Sequence, residues 1–152
     1  MQKITPFLWF DGRAEEAMNF YLSIFKNGKV LDVKRTNGKA TWVSFEVEGQ
    51  KLFGFNAGPE FKFNEAISMF VNCQSQEEVD ELWEKLTAGG SESRCGWLKD
   101  KFGLSWQIIP EALPRLMSDP DPEKSKAVVQ AMLKMKKIIV ADLQKAYDGK
   151  AA

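Results

Sequence analysis

The sequence predicts an α+β protein built by duplication: a strand, a helix and further strands, the same order again, then a helical tail. Three observations carry this reading. Short apolar runs, several of them alternating with period two, are bounded by Gly, Asn and Asp turns. Two amphipathic helical stripes each follow an apolar strand, and the pattern recurs after about 60 residues, the spacing of a duplicated supersecondary unit rather than of a solenoid. The 152 residues are 44% hydrophobic and 12% aromatic, which is enough for a proper core and argues against disorder.

Ile4 to Phe10 is an apolar run stopped by Asp11-Gly12, so it reads as a buried strand, with Pro6 marking an edge or a strand end. Alternation would put Ile4, Leu8 and Phe10 toward the core and Thr5, Phe7 and Trp9 on the other side. Arg13 to Phe25 is helical, with Ala14, Ala17, Met18, Tyr21, Leu22 and Phe25 as its stripe, and Asn27-Gly28 ends it. Val30 to Thr36 closes with Asn37-Gly38, a strong hairpin signal. Thr41 to Val47 alternates, with Val43, Phe45 and Val47 on one face and Trp42, Ser44 and Glu46 on the other. Glu48-Gly49 turns the chain into a third strand, Lys51 to Asn56.

Ala57 to Glu65, opened by Gly58-Pro59, is the joint between halves, and Phe61 and Phe63 within it are expected to pack. The pattern then restarts. Ala66 to Cys73 is a strand with Ile67, Met69, Val71 and Cys73 on one side and Ser68, Phe70 and Asn72 on the other. Ser75 to Glu78 is a capping box that opens a helix with the stripe Val79, Leu82, Trp83 and Leu86, ended by Gly89-Gly90. Ser91 to Leu98 reads as one strand, and a tight turn with Gly103 at its end leads to a last strand stopped by Pro110. In the tail, Glu111 to Ser118 is a short helix. Asp121-Pro122 starts a second, with Val128, Val129, Met132 and Met135 as its stripe, and Ile138 to Tyr147 is a third. The methionines read as gap-filling core.

Charge and composition exclude several classes. Lys plus Arg equals Asp plus Glu, 21 against 21, which favours neither nucleic acid nor an anionic membrane as partner. The stretch from Glu123 onward carries seven Lys and three acids, read as a solvated helix face. Two cysteines make no disulfide framework. No signal-peptide pattern and no long apolar run stands out, so a soluble, cytoplasmic protein with no membrane contact is expected. Histidine is absent, which removes the commonest general base and the commonest transition-metal ligand together.

Several strings then resemble a known family: Ile4-Thr5-Pro6-Phe7-Leu8-Trp9-Phe10-Asp11-Gly12 with Ala14-Glu15-Glu16-Ala17, Gly58-Pro59-Glu60-Phe61, Cys95-Gly96-Trp97-Leu98-Lys99-Asp100, Gly103-Leu104-Ser105-Trp106-Gln107 and Asp119-Pro120-Asp121-Pro122. Their arrangement resembles the vicinal oxygen chelate superfamily of glyoxalases, bleomycin-resistance proteins and extradiol dioxygenases. Within it the strings resemble the PhnB-like branch, often labelled 3-demethylubiquinone-9 3-methyltransferase. Arg35 to Thr41 is shorter than that branch leads one to expect, so a loop near the pocket mouth is trimmed. The resemblance implies the glyoxalase/bleomycin resistance/dioxygenase-like fold. Two βαβββ modules, residues 1–57 and 66–110, would form a cupped mixed sheet in a single domain, 1–152, with a C-terminal helical extension, 111–152. It also implies a homodimer, with the C-terminal helices as dimer elements.

The resemblance further implies where ligands would sit. By strand position the metal slots of the superfamily fall near Thr5, Gly54, Ser68 and Gln107, with Glu46 the nearest strand carboxylate. Neutral hydroxyls and amides bind divalent cations weakly, so no metal and no cofactor is expected. The same face would present Thr5, Phe7, Trp9, Asn56, Ser68, Phe70, Asn72 and Gln107, an aromatic wall with a few amides, as a cleft for a small apolar or aromatic ligand. Trp106 joins that wall on the same expectation. The competing reading fills the cup with these side chains. Cys73 reads as a structural thiol because it falls on the core face, and Cys95 because only Arg94 nearby could lower its pKa and no histidine exists to act as base. Asp100 reads as a turn residue. The first strand ends in Asp11-Gly12-Arg13, without the Gly-rich loop of doubly wound cofactor sites, so the residues themselves give the methyltransferase label no support. The function read here is metal-independent small-molecule binding. The alternatives are an enzyme, methyltransferase-like or metal-dependent in the glyoxalase manner, and an interaction dimer without a ligand.

Overall fold

The computed structural model describes residues 2–149, so the outer limits of the expected domain and Lys150 of the tail lie outside the described residues. The chain divides into two compact units, Met1–Phe63 and Asn64–Ala152.

Unit 1 runs β1 (Phe7–Phe10), α1 (Ala14–Ile24), β2 (Gly28–Thr36), β3 (Lys39–Val47) and β4 (Gln50–Asn56). Its sheet has the order β1-β4-β3-β2, with β1 parallel to β4 and the other pairs antiparallel. Both hairpin turns have two successive left-handed residues, Asn37 and Gly38 at φ 52° and 78°, then Glu48 and Gly49 at 48° and 80°. That twist matches the flanking strands, which is why Asn-Gly signalled the first turn so well. The face toward α1 buries Leu8, Phe10, Val43, Phe45, Val47 and Leu52 against Ala14, Ala17, Met18 and Tyr21. Gly54 lies there too, and a Cβ on it would stand 2.7 Å from Val43 Cγ2 and 3.4 Å from Ala14 Cβ.

One expectation fails at the start of the chain. Ile4 is 86% exposed, and β1 begins only at Phe7. The side chain of Gln2 pairs with the backbone of Lys51, donating through Nε2 to its carbonyl (3.0 Å) and accepting from its N–H (3.1 Å). A side-chain amide thus replaces the strand ladder ahead of Pro6, whose ring nitrogen has no hydrogen to offer.

Unit 2 repeats the order with β5 (Ser68–Cys73), α2 (Gln76–Thr87), β6 (Ser91–Glu92), β7 (Trp97–Lys99) and β8 (Ser105–Pro110), in a sheet ordered β5-β8-β7-β6 with β5 parallel to β8. Half of the expected capping box forms: Ser75 Oγ accepts from the Glu78 N–H, while Glu78 Oε2 accepts from the Gln74 N–H, one residue ahead of the cap. The single strand expected over Ser91 to Leu98 is instead two short ones. Cys95 and Gly96 turn the chain between them at φ 58° and 83°. Their N–H groups donate to Met135 and Lys136 carbonyls of the tail, at 2.9 and 2.8 Å, so the backbone that would have continued the ladder is already engaged.

The tail forms α3 (Ala112–Met117), α4 (Pro122–Met132) and α5 (Val140–Asp148). Ile109, Leu113, Leu116, Val128, Ile138 and Leu143 make its buried core, with Met132 and Met135 packed against it. Gln76 pins α5, accepting from the Val140 N–H (2.7 Å) and donating to the Ile138 carbonyl (3.0 Å). Among the described residues no helix is long and apolar enough to cross a membrane.

Candidate functional site

In unit 1 the cross-strand pairs Phe7–Phe53 and Trp9–Phe55, and then Phe55–Trp42, share the face opposite α1. Residues directly opposite across neighbouring strands point the same way, so register alone assembles an aromatic surface. Phe7 lies 5.3 Å from Trp42 and 5.7 Å from Phe55, and Trp42 lies 4.6 Å from Phe53, centroid to centroid. Trp9 meets Phe55 at 5.5 Å and Phe61 at 4.9 Å, both edge to face. The Trp9 indole N–H donates to the Gly58 carbonyl (2.9 Å), which ties the following loop to the sheet. Phe7 remains 52% exposed at the centre of this surface. Thr5 precedes β1 and is half-buried, its Oγ1 3.4 Å from Gln2 Nε2.

Asn56 does not join that face. It pairs with Phe10 in register and so turns toward α1. There its Oδ1 accepts from the Ala14 N–H (2.8 Å) and its Nδ2 donates to the Ala40 carbonyl (2.9 Å). Both ends of the amide hold the start of the helix against the sheet. Trp42, Phe53, Phe55 and Phe61 take the wall positions that sequence reasoning passed over, although Trp42 had already been placed opposite Val43 by alternation.

In unit 2, Ser68, Phe70 and Asn72 stand in register with Ser105, Gln107 and Ile109 on one face. Gln107 Nε2 donates to Ser68 Oγ (2.9 Å), while Phe70 and Asn72 are exposed. Trp106 points the other way and is 2% exposed, because neighbouring residues on a strand cannot share a face. Its indole N–H donates to Asp100 Oδ2 (2.9 Å). Asp100, also 2% exposed, uses Oδ1 to accept from the N–H groups of Phe102 (2.9 Å) and Leu104 (3.1 Å). It is a turn residue that also satisfies a buried tryptophan, a role the turn signal did not reveal.

Ser105 is buried, and its Oγ has no hydrogen-bond partner. Beside it, Lys99 forms an ion pair with Glu65, and this hydrogen bond holds the Glu65 carboxyl below its ordinary range. Cys73 is fully buried, and burial pushes its thiol up to about 12, with the Glu78 charge adding to the effect. That thiol is no nucleophile at neutral pH.

The metal slots expected from strand position do not survive as one set. Gly54 faces α1, which leaves Phe53 and Phe55 as the β4 residues on the aromatic face. Thr5, two phenylalanines, Ser68 and Gln107 bring no imidazole and no carboxylate, so these residues do not fit a bound divalent cation. Glu46 lies on β3 across from Lys51. Among the described residues no group of three or more His, Cys, Asp or Glu could hold a metal ion.

A family model described as 3-demethylubiquinone-9 3-methyltransferase matches residues 2–109. The chain belongs to this family. Among solved structures it is similar to a putative 3-demethylubiquinone-9 3-methyltransferase, PhnB protein, from Bacillus cereus, at 34% identity and a TM-score of 0.68 over 72% of this chain and 99% of that one. It is also similar to protein PA1353 from Pseudomonas aeruginosa, with 21% identity, a TM-score of 0.59, and coverage of 73% and 98%. FosX from Listeria monocytogenes, a fosfomycin resistance protein solved with Mn(II) and sulfate, shares the fold at 18% identity and a TM-score of 0.54, covering 70% and 90%. Comparison with curated proteins returned no match. The PhnB-like assignment and the α+β fold expected from sequence therefore hold. The match of the family model stops at residue 109, just before the three tail helices.

Proposed function

We propose that this PhnB-like protein binds a small apolar or aromatic molecule without a metal, as a cytoplasmic homodimer. The observation that carries the reading is the aromatic surface of unit 1, with Phe7 half exposed amid Trp9, Trp42, Phe53, Phe55 and Phe61. Rings that meet edge to face leave faces and edges on which a flat ligand can stack. Thr5 borders this surface. In unit 2, Ser68, Phe70, Asn72 and Gln107 form a second, more polar ligand face, where the Gln107–Ser68 bond orients the amide. Asn56 and Trp106 serve the scaffold rather than the ligand.

A thermal-shift screen of aromatic and quinone-type compounds, followed by titration of the hits, tests the reading. Phe7→Ala should weaken a hit about tenfold while leaving the fold intact, since the ring is largely solvent-facing. A screen without hits, or hits indifferent to both Phe7→Ala and Trp9→Ala, would defeat it.

The family model's own description favours a second reading, methyl transfer to a demethylated quinone. Calorimetric titration with S-adenosylmethionine separates the two. Micromolar binding supports methyl transfer, and its absence leaves the binding reading in place. Sedimentation at micromolar concentration checks the homodimer.

A further inference from the structure

A hollow of about 170 Å³ opens in unit 2, lined by Glu65, Ser91, Glu92, Ser93, Trp97, Leu98, Lys99 and Ser105. None of the residues proposed above for the apolar ligand lines it. We propose that it binds a small zwitterion of the free α-amino acid kind, with the ligand carboxylate held by Lys99 and Ser105 and the ligand ammonium by Glu65.

Register builds the site. Ser91 on β6 stands opposite Lys99 on β7, and Lys99 stands opposite Ser105 on β8. Opposed residues share a face, so two hydroxyls flank one ammonium across three strands. Ser105 is 1% exposed and its Oγ is without a hydrogen-bond partner. Buried hydroxyls are nearly always satisfied, so this one, enclosed and without a partner at the wall of the hollow, marks the place of a missing partner.

Charge selects the ligand. The Lys99 ammonium is paired with the Glu65 carboxylate. Glu92 turns its Oε1 to accept from the Trp83 indole N–H (2.8 Å), on the α2 side. Both side chains reach solvent, Lys99 at 38% and Glu65 at 62% exposure, so a simple anion or cation that broke the pair would only exchange one solvated ion pair for another. A zwitterion inserts between them, replaces one ion pair by two and leaves the net charge unchanged. The volume is well below the roughly 300–1,000 Å³ of drug-sized pockets, which limits the ligand to a few heavy atoms.

The test is an NMR titration of the full chain with glycine, alanine and serine, with acetate, ethylamine and glycerol as controls. The amino acids should give saturable shifts at the amides of Trp97, Lys99 and Ser105 at millimolar concentration or below, and the controls should not. Ser105→Ala should weaken binding about tenfold without lowering the melting temperature, and Lys99→Met should remove it. Phe7→Ala should leave it unchanged, which separates this site from the aromatic one. Equal shifts from acetate, ethylamine or glycerol, no shift from any amino acid, or unaltered binding by Ser105→Ala would overturn the proposal.

Discussion

Replacing Asp100 by Asn changes one atom at the centre of unit 2 and should unfold much of what that carboxylate secures. Asp100 accepts bonds from Phe102, Leu104 and Trp106 at 2.9, 3.1 and 2.9 Å, and it is 2% exposed. An Asn that keeps its oxygen on the two backbone amides must aim its NH₂ at the Trp106 indole N–H, donor against donor. The opposite orientation fails at the amides instead. One charge-assisted bond is lost, roughly 1.5–3 kcal/mol, and a buried donor is orphaned, about 1–3 kcal/mol. The terms overlap, and removing a buried charge offsets part of them, so about 3 kcal/mol is the expected loss. Against a total of roughly 5–15 kcal/mol, that is a large share. Urea unfolding followed by tryptophan fluorescence reads it as a midpoint lower by about 1–3 M, given slopes of about 1–3 kcal/mol/M. In a Trp106→Phe background, which removes the indole donor, the same substitution should cost at least about 1 kcal/mol less. A Asp100→Asn protein within about 0.5 kcal/mol of the parent, or a cycle without coupling, would refute the reasoning.

Asn56→Ala should lower stability by about 1–2 kcal/mol through the lost hold on Ala14 and Ala40, while leaving ligand affinity at the aromatic face unchanged by titration. Gln76→Ala should cost about 1–2 kcal/mol and raise hydrogen exchange in α5 ahead of the α1 amides, because both bonds to residues 138 and 140 disappear. In the native protein a thiol reagent should label Cys95 and spare fully buried Cys73, and mass spectrometry of the modified peptides reads the ratio. The raised Cys73 value has a sign. Below the ordinary value of 9.0 the thiol is neutral in both states and its contribution is fully present, and as pH rises toward about 12 only the unfolded state ionises, so stability falls. Cys73→Ala should flatten that alkaline loss, and an unchanged pH profile would contradict the assignment.

The parts of the fold legible in the sequence are those with local causes. Val43, Phe45 and Val47 face α1 as their alternation requires, and the turns at residues 37–38 and 48–49 adopt the left-handed backbone their Gly and Asn signalled. The face of β4 was another matter. Leu52, Gly54 and Asn56 alternate with Lys51, Phe53 and Phe55, so apolar residues lie on both sides and the period-two signal is degenerate. Gly54 adds no side chain to break the tie. Pairing with the neighbouring strands decides it: Gly54 stands opposite Val43 and Leu52 opposite Phe45 on β3, and Asn56 stands opposite Phe10 on β1, which sends Asn56 to the helix. The split of the expected strand at Ser91 to Leu98 was equally hidden, since its cause is the tail carbonyls of Met135 and Lys136.

Duplication preserved geometry and let chemistry diverge. Each sheet carries at one edge a parallel pair made by its first and last strands. On the face away from the helix, unit 1 fills that pair with Phe7 opposite Phe53 and Trp9 opposite Phe55, whereas unit 2 fills it with Ser68 opposite Ser105 and Phe70 opposite Gln107. The first set offers rings, and its one side-chain donor, the Trp9 indole N–H, is spent on the Gly58 carbonyl. The second offers hydroxyls and an amide and almost no ring. Neither offers an imidazole or a carboxylate, so the groups that make this fold a metal scaffold elsewhere have no counterpart at these positions. What the paired strands can still do is present an apolar surface on one unit and hydrogen bonds on the other. That pairing of rings with hydrogen bonds is what the proposed metal-independent binding rests on.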